Sequence, residues 1–349
     1  MTDLSFQPAP LPRPAGDDRY AERLLEVDEL RVEFRSRDAA VTVVDGVTFH
    51  LDPGETLAVL GESGSGKSVT AHAIMGILDS PPARVCGGAI RYRGTNLLTL
   101  DEERRRQIRG REIAMIFQDS LSALNPVFPV GWQIGEALRH RQGMSRDAAR
   151  RRAVELMDLV RIPAAAQRVG DYPHQFSGGM RQRVMIATAL ALQPKVLIAD
   201  EPTTALDVTV QAQIMDLLAE LRRELDMAMI LITHDLGVVA DVADRIAVMY
   251  AGRVVESADV HALYAAPAHP YTEGLLASIP RVDRRGRGLV TITGQPPSPA
   301  RIPSGCAFHP RCPYARQVCA EVTPAPQRVG GGRLSACHFA TEVRDGRLA

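Results

Sequence analysis

A glycine-rich segment near the front of the chain carries residue types that suit the binding of phosphate groups. The segment Gly-Glu-Ser-Gly-Ser-Gly-Lys-Ser runs from Gly61 to Ser68, and its glycines allow backbone N–H groups to turn inward around phosphate oxygens. Lys67 is placed to reach the β- and γ-phosphates of a nucleotide, and the Ser68 hydroxyl is placed to ligate Mg²⁺. Lys67 is also one of only two lysines in the chain. The spacing predicts a P-loop rather than an ordinary glycine turn with a surface lysine.

Two carboxylates later in the chain are candidates for handling the metal ion and the attacking water. The apolar run Val196–Ala199 is followed directly by Asp200 and Glu201. Ligands bind at the carboxyl ends of the strands in open parallel sheets, so both side chains would reach a bound nucleotide. We expect Asp200 to hold the Mg²⁺ shell and Glu201 to orient and deprotonate the attacking water.

The segment Phe176–Gln182 offers a second place for an anion. Its Ser-Gly-Gly centre precedes a helix that is predicted to begin near Arg183, which puts a hydroxyl and exposed amides at the positive end of that helix. The same residues also fit an N-cap followed by a flexible hinge. The residue types alone leave both interpretations open.

The surrounding sequence predicts the elements that hold these groups in place. Short β-branched and apolar runs bounded by turn residues predict strands at 24–34, 41–51, 57–60, 113–118, 196–199 and 228–233. Apolar residues at helical spacing predict helices at 69–78 and 208–225, and a helical insert between Asn125 and Phe176. The alternation indicates an α/β fold with a parallel sheet and crossover helices.

Length and composition place the chain among globular proteins. Its 349 residues leave room for about two domains, and apolar and charged residues make up 45% and 23% of it. Lys plus Arg equals Asp plus Glu, at 41 each, so no overall charge draws the chain to nucleic acid or to an anionic membrane. No apolar run approaches the roughly 18 residues of a membrane span. Residues 1–22 are rich in proline, lack the pattern of a secretory signal and are expected to form a disordered leader.

Together, these motifs resemble those of the ATP-binding cassette (ABC) ATPases. Gly61–Ser68 resembles Walker A, and Ile198–Glu201 resembles the end of Walker B. Phe176–Gln182 resembles a variant of the family signature LSGGQ, with Phe and Met in place of the usual Leu and Gln. Gln118 resembles the Q-loop glutamine, Ala205-Leu206-Asp207 resembles the D-loop and His234 resembles the switch histidine. All six matches occur in the order that is typical of the family.

The resemblance implies a P-loop NTPase fold with a RecA-like core, an antiparallel β subdomain and a helical subdomain at about 125–180. ATP and Mg²⁺ are the implied cofactors, and Phe34 best matches the aromatic residue that stacks on the base. The other implied nucleotide contacts are Gly61, Ser63, Gly64, Gly66, Lys67, Ser68, Val69, Gln118, Ser177, Gly178, Gly179, Asp200 and Asp207. The implied catalytic residues are Glu201, His234 and Gln118, and the implied Mg²⁺ ligands are Ser68, Gln118 and Asp200.

The resemblance also implies a head-to-tail dimer. Ser177 and Gly179 of one chain would cap the γ-phosphate held by Lys67 of the other. Closure of the dimer on ATP and its opening after hydrolysis would then be the power stroke.

Four of the five cysteines lie within the last 44 residues, and the sequence around them narrows the resemblance. The segments His269–Pro280 and Gly305–Cys319 are similar to the C-terminal extension of ATPases that serve bacterial oligopeptide and dipeptide importers. We therefore expect an ATPase domain at 23–256 and this extension at 257–349. In that subfamily the four thiolates can hold a [4Fe–4S] cluster. The cysteines concerned are Cys306, Cys312, Cys319 and Cys337.

Cys86, which is far from the other cysteines in sequence, is expected to be a free thiol. Two alternatives to the cluster remain open for the other four cysteines. Zinc could bind the four cysteines with or without His309 and His338, although the Cys-x-x-Cys pair of the usual zinc site is missing. The thiols could also be unligated.

The resemblance implies the energy-coupling subunit of a bacterial ABC importer, which hydrolyses ATP to import dipeptides or oligopeptides. The implied partners are two integral-membrane permeases, a second ABC ATPase or a second copy of this chain, and an extracytoplasmic solute-binding protein. The chain would be a peripheral protein at the cytoplasmic face of the inner membrane, with no nucleic-acid partner.

Two other functions fit the sequence less well than transport does. A soluble cassette acting on nucleic acid or ribosomes usually has two cassettes or a long coiled coil, whereas only 108 residues separate Ser68 from Ser177. A regulatory module without turnover would not need Glu201.

Overall fold

The computed structural model describes residues 23–36, 39–204, 206–279 and 291–348. The expected leader at 1–22 lies outside these residues, as does Ala205 of the D-loop match. The strands are β1 (Leu25–Arg35), β2 (Ala40–Leu51), β3 (Thr56–Leu60), β4 (Ala83–Tyr92), β5 (Thr95–Asn96), β6 (Ile113–Ile116), β7 (Val196–Asp200), β8 (Ala228–Thr233), β9 (Arg245–Tyr250), β10 (Arg253–Asp259), β11 (Gln327–Arg328) and β12 (Leu334–Ser335).

The α-helices alternate with these strands in the core and cluster between β6 and β7. They are α1 (Lys67–Met75), α2 (Glu102–Ile108), α3 (Ser120–Ala123), α4 (Val130–Gln142), α5 (Arg146–Leu159), α6 (Ala165–Arg168), α7 (Gly178–Leu190), α8 (Val208–Glu224), α9 (Leu236–Val242), α10 (Val260–Ala265), α11 (Pro270–Ala277), α12 (Gln317–Glu321) and α13 (Ala340–Arg344). Within the described ranges, none of the helices combines the length and the apolar character needed to cross a membrane.

Eight strands form the main sheet, in the order β11-β12-β10-β9-β3-β8-β7-β6. The strands from β9 to β6 are parallel, and β3, β7 and β8 are buried along their whole length. Both faces of these strands are covered, so they read as continuous apolar runs. Their carboxyl ends meet at one edge, where Leu60, Asp200 and Thr233 are the last strand residues. The predicted α/β fold with a parallel sheet is confirmed.

A smaller antiparallel sheet, in the order β2-β1-β4-β5, packs with α1 against one face of the main sheet. Side chains alternate along each strand of the main sheet, so neighbouring residues enter different cores. Val59 and Ile198 face the small sheet. Leu60 and Ala199 face the larger core, which α4, α5, α7 and α8 cover. The carboxyl edge of the parallel strands is thus fixed from both faces.

The predicted helical insert consists mainly of α4 and α5, which pack on α7. Val130, Ile134 and Leu156 are buried in the larger core. Helix α5 begins after Ser145, whose hydroxyl accepts a hydrogen bond from the N–H of Ala148 at 3.2 Å and so supplies the N-cap.

One close contact within this insert can be tested by mutation. We expect Gly131→Ala to lower the free energy of unfolding by about 1–3 kcal/mol, the usual cost of overpacking. A Cβ on Gly131 would lie 2.1 Å from Val169 Cγ2 and 2.5 Å from the Val169 carbonyl oxygen, so the backbone would have to shift. Urea denaturation of the wild type and the variant measures the free energy of unfolding. Gly170→Ala is the matched control, because nothing lies within 4 Å of its Cβ position. Equal losses in the two variants would contradict the packing argument.

Helix α7 begins at Gly178, five residues earlier than the predicted start near Arg183. The reason is the cap: the Ser177 hydroxyl accepts a hydrogen bond from the N–H of Met180 at 3.3 Å. This bond offsets the low helix propensity of two consecutive glycines. Ser177 is therefore the N-cap, and the two glycines begin the first turn of the helix rather than forming a loop before it.

The expected domain boundary between residues 256 and 257 falls inside β10 and not in a linker. Glu256 pairs with Ser335, and Ser257 pairs with Leu334, so β12 continues the main sheet beyond β10. Phe308 is also buried in the larger core. The C-terminal residues consequently share a sheet and a core with the residues before the expected boundary.

Candidate active site

The glycine segment lies between β3 and α1, at the carboxyl edge of the main sheet. Gly61 has φ 155°, and a Cβ there would lie 2.3 Å from the Met249 carbonyl oxygen, so only glycine fits. Gly66 is the N-cap of α1 and has φ 99°. Ser63 and Gly64 are exposed at the tip of the loop. This arrangement points the loop and the helix N-terminus toward one place, as a phosphate cradle requires.

Lys67 is buried at the start of α1, and its ammonium group is held by the loop itself. Its Nζ donates hydrogen bonds to the carbonyl oxygens of Gly61 at 2.8 Å and Glu62 at 3.0 Å. Burial lowers the pKa of Lys67, and the nearby carboxylates of Glu201 and Asp200 oppose this shift. A cation kept close to several carbonyl oxygens and carboxylates is ready to bind phosphate oxygens.

Ser68, the residue after Lys67, contacts Asp200 at the end of β7. The Ser68 hydroxyl donates a hydrogen bond to Asp200 Oδ1 at 3.1 Å. Asp200 is buried, which raises the pKa of its carboxyl group, while the bond from Ser68 lowers it. Two of the three predicted Mg²⁺ ligands are thus joined by a hydrogen bond, although they are 132 positions apart in sequence.

Glu201 is the point at which the predicted catalytic residues converge. Its Oε2 accepts hydrogen bonds from Gln118 Nε2 at 2.9 Å and from the Thr204 hydroxyl at 3.0 Å. His234 Nδ1 lies 3.6 Å from Glu201 Oε1. Glu201 also has φ 44°, which is unusual for a residue with a side chain and is the kind of strain that functional sites retain. Nothing in the sequence pattern singled out Thr204.

The Ser-Gly-Gly segment contacts the beginning of α8. A Cβ on Gly179 would lie 2.6 Å from Val210 Cγ1, and one on Gly178 would lie 3.5 Å from Leu206 Cδ2. Asp207, which was expected to contact nucleotide, caps α8 by accepting a hydrogen bond from the N–H of Val210 at 3.0 Å. The signature match and the D-loop match are therefore packed together in one chain.

The two remaining predicted nucleotide contacts are apolar and half-buried. Phe34 lies near the end of β1, where it pairs with Val41 and Ala83 and packs on the core beneath the small sheet. Val69 packs on the same core from α1. Base stacking by Phe34 stays a prediction.

An aromatic groove adjoins Gln118. Phe128 and Trp132 are exposed and stacked, with ring centroids 4.2 Å apart, and the guanidinium of Arg139 lies over the Trp132 ring at 5.1 Å. They line an open groove of about 380 Å³ together with Phe117, the residue before Gln118. No sequence motif distinguishes these individual aromatic residues.

The four C-terminal cysteines line one small cavity. Cys306, Cys312, Cys319 and Cys337 all border it, whereas Cys86 is exposed elsewhere. Burial raises the pKa of Cys312 to about 11 and that of Cys337 to about 12, and the other cysteines add to both shifts. Among the residues that the structure describes, no group of three or more His, Cys, Asp or Glu side chains is arranged to hold a metal ion, so the expected cluster finds no support in this geometry.

Comparison with known families matches two parts of the chain. Residues 44–204 match the family model described as "ABC transporter", and residues 255–319 match "Oligopeptide/dipeptide transporter, C-terminal region". Among curated relatives, the oligopeptide transport ATP-binding protein OppD of Salmonella typhimurium is 51% identical over 317 residues, which are 91% of this chain and 94% of the relative. The dipeptide transport ATP-binding protein DppD of Escherichia coli is 48% identical over 316 residues, or 90% and 96% of the two chains.

Solved structures show the same fold. The ATP-binding cassette MJ0796, in a dimeric post-hydrolysis state bound to ADP and phosphate, matches with a TM-score of 0.61 and 28% sequence identity. The match covers 68% of this chain and 98% of that cassette.

Proposed function

Because this chain belongs to the ATP-binding proteins of the oligopeptide and dipeptide ABC importers, we propose a role in ATP hydrolysis for each residue of its site. The chain is the energy-coupling subunit that hydrolyses ATP. The observation that carries the proposal is the convergence of Gln118, Thr204 and His234 on Glu201. A carboxylate that contacts three polar side chains at the end of a strand beside the glycine loop suits the general base of a hydrolysis reaction. An alternative role on nucleic acid or ribosomes is not favoured by these relatives.

The proposed mechanism begins with positioning. Loop amides and Lys67 hold the β- and γ-phosphates, and the oxygens of Ser68 and Asp200, with Gln118, would hold Mg²⁺. When bound, Mg²⁺ neutralises charge on the phosphate oxygens. Glu201 accepts the proton of the attacking water, and His234 orients the reacting groups.

We propose that the site is completed by a second ATPase, either another copy of this chain or a different subunit. Ser177 and Gly179 at the N-terminus of α7 would cap the γ-phosphate held by Lys67 of that partner. The early start of α7 supports this role, because it places the amides of Gly178 and Gly179 at the positive end of a 13-residue helix.

We propose that the aromatic groove docks onto the permeases at the cytoplasmic face of the membrane. Exposed aromatics such as Phe128 and Trp132 are enriched at protein interfaces. Phe117 lines the groove, and the next residue, Gln118, donates a hydrogen bond to Glu201. A permease segment bound in the groove would therefore contact the residue next to Gln118. This continuity would couple transport to hydrolysis.

The transport assignment is tested by isolating the complex. A tagged chain, extracted from its own membranes in mild detergent, should copurify with two permeases, a second ATPase where one exists, and a solute-binding protein. Mass spectrometry of the eluate identifies them. Recovery without any integral membrane protein, or with ribosomes or DNA at physiological salt, would overturn the assignment.

We further propose that the four C-terminal cysteines hold a [4Fe–4S] cluster. The donor set fits, because four thiols line one cavity. One ring nitrogen of His309 and one of His338 face backbone carbonyl oxygens, at 2.9 and 2.8 Å, and the other ring nitrogen of each is the one that a zinc ion would use. Zinc is therefore the alternative that metal analysis has to test. When bound, the cluster would cross-link this segment through its thiolates.

The cluster proposal predicts a coloured protein. Anaerobically purified chain should be brown and contain iron and sulfide in equal amounts, and Cys312→Ser should lose most of the visible absorbance. Cys86→Ser, which changes an exposed cysteine away from the cavity, should keep it. A colourless wild-type protein with stoichiometric zinc, or with no metal, would contradict the proposal.

A further inference from the structure

The second residue of the glycine loop, Glu62, is held by residues from the C-terminal part of the chain. Arg311 Nη1 donates to Glu62 Oε2 at 2.6 Å, and Arg311 Nη2 donates to Glu62 Oε1 at 2.9 Å, which makes a bidentate ion pair across 249 positions. The N–H of Glu62 donates to the Tyr271 hydroxyl at 2.9 Å. Neither Arg311 nor Tyr271 has a part in the mechanism above.

Contacts other than the ion pair with Glu62 also hold the Arg311 side chain in place. The residue is 8% exposed. Its Nε donates to the Thr293 carbonyl oxygen at 3.0 Å, and its Nη1 also donates to the Tyr250 hydroxyl at 3.3 Å. The ring of Phe308 lies 5.9 Å from the guanidinium carbon. A planar cation held by several bonds in a buried site loses little further entropy when it binds a carboxylate.

Glu62 in turn holds the part of the loop that carries the lysine. Its carbonyl oxygen accepts hydrogen bonds from the N–H of Ser65 at 3.2 Å and from Lys67 Nζ at 3.0 Å. Its amide, its carbonyl and its carboxylate are therefore all engaged, two of them by the C-terminal segment. A shift of Glu62 would move both the turn of the loop and the Lys67 ammonium.

We propose that Arg311 and Tyr271 are positioning residues of the phosphate-binding loop, so that ATP affinity depends on the Glu62–Arg311 ion pair. The inference rests on the proposed role of this loop in binding ATP. It adds to that role a requirement for two residues that lie far from the ATPase motifs in sequence. The C-terminal segment is then a structural part of the ATP site.

A charge-based explanation makes the opposite prediction for one variant. If Arg311 served only to neutralise Glu62 near the phosphates, Glu62→Gln would bind ATP as well as or better than wild type, because a negative charge is removed. If the pair positions the loop, Glu62→Gln should weaken ATP binding, since a neutral amide cannot replace the bidentate ion pair. This substitution changes a half-buried side chain and leaves no cavity, so the variant should fold.

The experiment is a double-mutant cycle on the full-length chain. Wild type, Glu62→Gln, Arg311→Gln and the double variant are titrated with a fluorescent ATP analogue, and the KM and kcat of ATP hydrolysis are measured separately. We expect each single variant to raise the Kd and the KM about tenfold, within the usual range for coupled sites, with a smaller change in kcat. The double variant should bind ATP no more weakly than the weaker-binding of the two single variants, because both substitutions remove the same ion pair. Arg311→Lys should recover only part of the affinity, because an ammonium cannot form the fork.

Arg333→Gln is the matched control. Arg333 is another buried arginine of the C-terminal segment, and it donates to the carbonyl oxygens of Ala262 and Ala266 rather than to the glycine loop. It should lower the melting temperature and leave the Kd for ATP unchanged. Wild-type affinity in Glu62→Gln, or equal weakening in Arg333→Gln, would overturn the positioning role. Failure of the wild-type chain to bind the analogue would instead overturn the proposed function.

Discussion

Replacing Glu201 with glutamine is expected to reduce the kcat of ATP hydrolysis by about 100-fold to 10,000-fold, the usual contribution of a general base, while ATP binding is retained. Glutamine keeps the shape of the side chain and still accepts the hydrogen bonds from Gln118 and Thr204 on its one carbonyl oxygen. It cannot accept the proton of the attacking water. Steady-state phosphate release and equilibrium ATP titration measure the two properties separately.

The same variant should accumulate as an ATP-bound dimer, because opening follows hydrolysis in the proposed cycle. Size-exclusion chromatography with and without ATP and Mg²⁺ detects it. Glu103→Gln, an exposed glutamate on α2, is the control and should hydrolyse ATP at the wild-type rate. Comparable phosphate release by Glu201→Gln and wild type would remove Glu201 from the catalytic step.

Replacing Lys67 with methionine is expected to raise the Kd for ATP about 100-fold. This factor corresponds to the loss of two charge-assisted hydrogen bonds of about 1.5 kcal/mol each. Methionine has a similar length, so it should fill the buried site without leaving a large cavity. The charge that would bind the phosphate oxygens is lost, and the carbonyl oxygens of Gly61 and Glu62 lose one donor.

The second lysine of the chain provides the control for this prediction. Lys195 is half-buried just before β7, and its backbone pairs with Glu112 and Ala228. Lys195→Met should bind ATP normally in the same fluorescence titration. If the two lysine variants weaken binding equally, Lys67 has no special role in phosphate binding.

The proximity of the residues in the proposed ATP site was predictable, because each lies at or near the end of a strand that a short sequence pattern reveals. Lys67, Asp200 and His234 each follow an apolar run that forms a parallel strand, and parallel strands bring their carboxyl ends together. Spacing within a few residues of each strand was enough to predict their proximity. The structure brings Gln118 to the same place at the end of β6.

Contacts that depend on distant packing could not be predicted in this way. The pairing of Arg311 with Glu62 joins two ordinary charged residues, and nothing in their local sequences distinguishes this pair from other combinations. Thr204 contacts Glu201 only because the backbone turns sharply at φ 44°. The two-residue strand β12 is too short to show any periodicity, so its pairing with β10 had no sequence signal.

That pairing has a consequence for how the molecule can be divided. An unpaired strand edge offers free N–H and C=O groups to other chains and promotes aggregation. Cutting the chain after β10 would create such an edge at Glu256 and Ser257. It would also leave the glycine loop without Arg311. We therefore expect the cassette and its C-terminal extension to fold as one unit, and hybrids between related importers should exchange them together.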